Sequence, residues 1–285
     1  MTYHHAMNAQ LAPPLNPADW QAELQLGFTA RAGRTVLTHR LHRGPLLVQR
    51  PFYPEGSVCH VYLIHPPGGI AGGDHLQLRA ELGSESHALI TTPAATKFYR
   101  AAPGRLAVLH QHLQLHGATL EWLPQETIFF DQAEARTTTR VDLDARSRFI
   151  GWELSCYGRQ ASNLRFINGR LHQNLELWRE GKPLLLDHLR IEGSGPMQNA
   201  MWGLQGLSAL GSLIAFPATA AEVVAVRALP LTAGKLSCTL VDGVLLCRAL
   251  CAESAELKQL LLQVWQCLRR RLLGREAVLP RIWAT

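Results

Sequence analysis

The segment "HLQLRAEL", residues 75–82, alternates polar and apolar side chains without a break and puts Leu76, Leu78, Ala80 and Leu82 on one face. A period of two is the signature of a half-buried β-strand. Reading outward, the same habit recurs in "HALITT" (87–92), "LAVLHQHLQLHG" (106–117), "ATLEWLP" (118–124) and "TRVDLDARSRFIGWELSC" (139–156). The stretch "LRFINGRLHQNLELWREGKPLLLDHLRIEG" (164–193) predicts further strands, with turns at Asn168-Gly169 and Glu180-Gly181. Many short strands in series predict a mainly β, helix-poor body, either a β-sandwich or an irregular β-helix-like stack. No fixed-length repeat names a propeller or a regular solenoid.

The last third changes character. "LSALGSLIAF" (207–216) reads as a strand and "ATAAEVVAVRAL" (218–229) as a short helix. "KLSCTLV" and "VLLCRAL" flank Asp242-Gly243, the strongest two-residue hairpin signal. A helix is predicted over 254–273, because Leu257, Leu260, Leu261, Val264, Leu268 and Leu272 share a face and Gly274 suits the position after its end. The expected organisation is a flexible arm rich in Pro, Asn and Ala over 1–19, then a single domain over 20–285. Within it, 20–200 form the β body and 201–285 a small α+β part with two helices.

The chain holds 28 Lys plus Arg against 22 Asp plus Glu, a net charge of +6. The positive residues are dispersed, and the densest run, Arg269-Arg270-Arg271, lies inside the helical pattern. A nucleic-acid binder would show a basic stripe interleaved with aromatics, so no nucleic-acid partner is expected. None of the six cysteines forms a C-x-x-C pair, and the first twenty residues have no continuous apolar core. Free thiols in a cytoplasmic setting, without a membrane span, are the expectation.

"IHPPGGIAGGDHL", residues 64–76, raises the question of a ligand loop. A phosphate loop needs G-x-x-x-x-G-K-[ST] leading into a helix. Here Gly68, Gly69, Gly72 and Gly73 lead through Asp74-His75 into a strand, so the segment predicts a tight β–β connection with Asp74 bonded to turn backbone.

Five motifs stand in one order: "VQRPFYPEG" (48–56), "HPPGGIAGGD" (65–74), "TKFYR" (96–100), "EWLPQETIFF" (121–130) and "LPRIW" (279–283), with "GWELSCYGR" at 151–159. On these the chain resembles the UreD (UreH) family of urease accessory proteins, from about Trp20 to its last residue. The resemblance implies a mostly β fold with two helices near the C-terminus and no enzymatic activity of its own. It implies a complex with UreF and the GTPase UreG that docks on the urease apoprotein, with UreE as nickel donor. It further implies a scaffold role in nickel insertion, including a passage for transient nickel, with no tightly bound cofactor.

By motif match, the resemblance offers Asp74, His75, Thr96, Lys97, Glu153 and Asp187 as residues lining such a passage. The family often has an Asp where Glu153 stands, and an acidic or polar residue where His75 stands. Taken alone, Glu153 and Asp187 also suit solvent-facing strand positions, and Lys97 suits a structural ion pair with Asp74 or Glu126. His110 and His112 share one strand face roughly 6 to 7 Å apart, within reach of one ion, although outward-facing histidines would look the same. Pro280, Arg281, Ile282 and Trp283 read as partner or core contacts. Two other readings remain: a metal-dependent hydrolase on a β scaffold, which needs three or more converging ligands, and a β interaction module unrelated to nickel.

Overall fold

The computed structural model describes residues 19–231 and 233–284. Of the expected arm only Asp19 falls among these, paired with Arg105; residues 1–18 lie outside the described residues. In chain order the strands are β1 Gln21–Arg31, β2 Arg34–Arg43, β3 Leu47–Val48, β4 Cys59–Ile64, β5 His75–Leu82, β6 His87–Thr91, β7 Thr96–Phe98, β8 Ala107–Leu115 and β9 Thr119–Leu123. They continue with β10 Thr127–Phe129, β11 Ala133–Leu143, β12 Arg148–Arg159, β13 Leu164–Arg165, β14 Gly169–Arg179, β15 Lys182–Glu192, β16 Ala209–Phe216, β17 Lys235–Val241 and β18 Val244–Cys251. The helices are α1 Pro196–Asn199, α2 Ala220–Arg227 and α3 Ser254–Leu273.

Two sheets enclose the main core. The first runs β15-β14-β11-β8-β5-β1-β2, parallel from β1 through β14, with an antiparallel hairpin at each edge. The second runs β17-β18-β16-β12-β9-β6-β4-β3, parallel from β4 to β12 and antiparallel beyond. The short β7 and β10 pair with each other, and β10 also pairs with β12 on a third side. The chain thus climbs β5-β6-β7, β8-β9-β10, β11-β12 as stacked, solenoid-like coils, one of the two architectures expected from the sequence.

Successive first-sheet strands begin at His75, Ala107, Ala133 and Gly169, at unequal intervals. Turn lengths vary while lateral pairing keeps the register, which is why no sequence repeat announces the coils. Leu76, Leu78, Ala80 and Leu82 all point into the core, as the alternation predicted.

The second sheet is covered twice. One face meets the first sheet, and the other packs Ile150, Trp152, Leu154 and Leu213 against α2 and α3. Hence all eight residues of β16 are buried, and its sequence is almost continuously small and apolar, as a strand covered on both faces requires. Thr219 and Glu222 form a capping box that starts α2, and Gly274 ends α3 at φ +63°. Asp242 and Gly243 both have positive φ, +49° and +77°, as the predicted two-residue hairpin needs. The α3 face is wider than the leucine stripe suggested, since Trp265 and Arg269 are also fully buried.

Candidate functional site

One level of the solenoid interior is polar. In the first sheet, strand register aligns Gln111, Thr139, Leu175 and Asp187 across β8, β11, β14 and β15. In the facing sheet, Glu153, Ser212 and Arg248 align across β12, β16 and β18. The two rows meet: Thr139 Oγ1 lies 2.9 Å from Gln111 Oε1 and also bonds Glu153 Oε1, and Arg248 donates to Asp187. A row of polar groups therefore crosses the core from Gln111 to the open edge. One step along the strands, Gln173 bridges Tyr157 and Ser155 at 2.8 and 2.7 Å, a second polar rung.

Glu153 reaches this position because β12 alternates: Ile150, Trp152 and Leu154 face the helices, which sends Glu153 to the interior. Among the described residues it forms no ion pair with a Lys, Arg or His. Burial, together with the negative charge of Asp187, pushes its carboxyl up to about 7. The Thr139 hydroxyl opposes the rise, but a hydroxyl has one proton. A neutral Glu153 donating to Thr139, which donates to Gln111, satisfies all three oxygens; an ionised Glu153 takes the Thr139 proton and leaves Gln111 without it.

At the inner end, Gln111 opens on a cavity of about 160 Å³ that is also lined by His65, Thr96, Lys97 and Leu78. The Nε2 of His65 is buried with no hydrogen-bond partner, and burial lowers the pKa of this imidazole. Four of the six passage candidates, Thr96, Lys97, Glu153 and Asp187, thus border one cavity-and-seam system. Sequence reasoning missed Gln111, Thr139, Ser212, Arg248 and His65. The partner of Asp187 had no local signal, since Arg248 is 61 positions away.

The other two candidates do not line the cavity, although the Asp74 charge acts on His65. Asp74 accepts from the N–H groups of Trp20 and Ala71, at 3.1 and 2.8 Å, which is the turn-bonding role expected of it. His75 begins β5 with the parity of Gln77 and Arg79, on the outer side of the first sheet. The glycine loop packs closely against its neighbour: a Cβ on Gly69 would lie 2.4 Å from the Tyr99 ring, and Gly73 holds φ +98° beside Arg105.

His110 and His112 also lie on the outer side of the first sheet, with His112 bonded to Asp142 at 2.5 Å. Among the described residues, no three His, Cys, Asp or Glu side chains are grouped so as to hold a metal ion. The tail turns inward. Trp283 stacks on Trp152 with ring centroids 6.0 Å apart, and its indole N–H donates to Thr91 at 3.0 Å. Pro280 is buried, Ile282 is half-buried and Arg281 is exposed.

A family model described as "UreD urease accessory protein" matches residues 21–284. The chain is 44% identical over 270 residues to a protein of Citrobacter koseri named urease accessory protein UreD, covering 93% of this chain and 92% of that one. Proteins of the same name from Dechloromonas aromatica and Klebsiella pneumoniae are 42% and 43% identical, over 96% and 98% of this chain and 98% and 100% of theirs. No helix among the described residues is long and apolar enough to cross a membrane.

Proposed function

The chain belongs to the UreD family of urease accessory proteins, and from that premise we propose that it is a non-catalytic cytoplasmic scaffold for assembly of the urease nickel centre. It binds UreF and, through that complex, the GTPase UreG; the assembly docks on urease apoprotein, and UreE delivers the nickel. Nickel is cargo, and it crosses this chain along the polar seam.

The seam carries the reading. Transit needs oxygen and imidazole groups that are few at any one point, so that an ion is held weakly and moves on. Gln111, Thr139, Glu153, Ser212 and Asp187 supply such oxygens at one level, and His65 supplies an unengaged ring nitrogen at the inner cavity. A hydrolase would instead need a closed ligand shell, and the described residues contain no group of three candidate ligands.

The test is the double variant Glu153→Ala with Asp187→Ala, co-expressed with the urease subunits and the other accessory proteins. Urease activity and nickel per active site should fall while co-purification with UreF stays intact. Normal activity and nickel content would remove the passage from this proposal. Normal activity in cells that lack the chain altogether would remove the assembly role.

A further inference from the structure

We infer that Arg248 is a gate at the edge end of the seam, a resident positive charge that a divalent cation must displace before it can engage Asp187 and Glu153 together. This gate presupposes the nickel passage proposed above and adds its regulation.

The two residues sit where the sheets come closest to an open side. Asp187 is on β15, the edge strand of the first sheet, and Arg248 is on β18, next to the edge strand β17 of the second. Their ion pair spans the gap. The Arg248 side chain is 38% exposed and that of Asp187 only 12%, and Glu153, half-buried, follows them along the row between the sheets. Any group entering from this side meets the guanidinium first.

The charges make the order of events matter. Asp187 and Glu153 are close enough for each to feel the other's charge, and Ser212 stands between Glu153 and Arg248 in register. Two carboxylates and a hydroxyl suit a hard or borderline divalent cation. With the guanidinium in place, however, one Asp187 oxygen is already engaged and a like charge lies beside the arriving ion. Once the guanidinium swings outward, the same carboxylates are free and the repulsion is gone. The side chain can make that move, because among the described residues it bonds Asp187 alone and more than a third of it is already in solvent.

The pair could instead be a clasp between sheet edges, and the experiment separates the two roles. Full-length chain carrying Arg248→Ala, Arg248→Lys, or Arg248→Ala with Asp187→Asn is compared with wild type by equilibrium dialysis against Ni²⁺ and by thermal unfolding. The gate requires Arg248→Ala to bind Ni²⁺ about tenfold more tightly, by removal of one nearby positive charge. Arg248→Lys, which keeps the charge, should stay within about threefold of wild type, and adding Asp187→Asn should cancel the gain. If Arg248→Ala lowers the unfolding temperature and leaves Ni²⁺ affinity unchanged, or if neither protein binds Ni²⁺, the gate is wrong. In co-expression, impaired activation by Glu153→Ala with Asp187→Ala alongside unchanged Ni²⁺ affinity in Arg248→Ala sinks the gate but leaves the passage. Unimpaired activation by that double variant sinks the passage itself.

Discussion

Arg269 of α3 and Glu121 of β9 are 148 positions apart in sequence, yet both are fully buried and joined by Nε–Oε2 contact at 2.8 Å. The same guanidinium reaches Glu55 at 2.6 Å, and the Glu121 carboxylate also accepts from the Trp265 indole at 2.7 Å and contacts His87 at 2.8 Å. His60 completes the group on Glu55 at 2.7 Å. This buried cluster ties α3 and the 50–60 loop to the second sheet.

Arg269→Met should therefore destabilise the protein by about 3–5 kcal/mol, because it strands two buried carboxylates rather than one surface charge. Urea unfolding checks this. Burial alone would raise the pKa of Glu121 and Glu55, but their His and Arg partners override it and hold both lowered. The unfolded chain then takes up protons first. The stabilisation is present above the ordinary carboxylate range and is lost as pH falls below it. Glu121→Gln should flatten that acid limb; an unchanged limb would contradict the cluster's ionised state.

Glu153 should have the opposite pH signature. Its carboxyl is raised to about 7 in the folded chain, so the folded state holds a proton that the unfolded state has already released. Stability is lost as pH rises through that interval. With chelator present, the stability of wild type relative to Glu153→Gln should fall by on the order of 3 kcal/mol between pH 5 and pH 8. A pH-independent difference would mean that the Glu153 carboxyl is not held neutral in the folded chain.

Thiol chemistry should single out one cysteine. Cys59, Cys156, Cys238, Cys247 and Cys251 are buried, and Cys267 is partly exposed. Burial pushes the Cys59 and Cys156 thiols up to about 11 and about 12. A disulfide reagent should modify Cys267 first in the native chain, and all six thiols after unfolding. Loss of the early reaction in Cys267→Ser confirms the order; two fast thiols in wild type would contradict it.

Trp283→Ala removes the stack on Trp152, the bond to Thr91 and the ring beneath Lys258, whose ammonium sits 5.1 Å from the ring centroid. The tail should detach at a cost of about 2 kcal/mol, below the full core range because part of the ring meets solvent. Tryptophan emission should shift to the red as Trp152 becomes wetter.

The strands were legible because their side chains alternate, and α2 and α3 because their apolar faces and end residues agree. Asp242-Gly243 announced its hairpin through turn chemistry alone. The coils were not legible, because parallel pairing leaves no mark on turn length: β5, β8 and β11 sit side by side although unequal stretches separate them. Glu153 and Asp187 were found through motif resemblance, whereas Thr139 and Arg248 were not, since nothing near a threonine or an arginine in sequence says which sheet will face it. Arg269 looked like one member of a basic run. Only the docking of α3 separates it, fully buried, from Arg270 with its exposed side chain.

The cover of the second sheet has a consequence for synthesis. Ile150, Trp152 and Leu154 form an apolar surface that α3 hides, and α3 leaves the ribosome more than a hundred residues later. At roughly 5–20 residues per second, the nascent chain carries that surface uncovered for on the order of ten seconds. The order of translation thus makes each new molecule briefly adhesive, and the burial of Arg269 against Glu121 closes that interval.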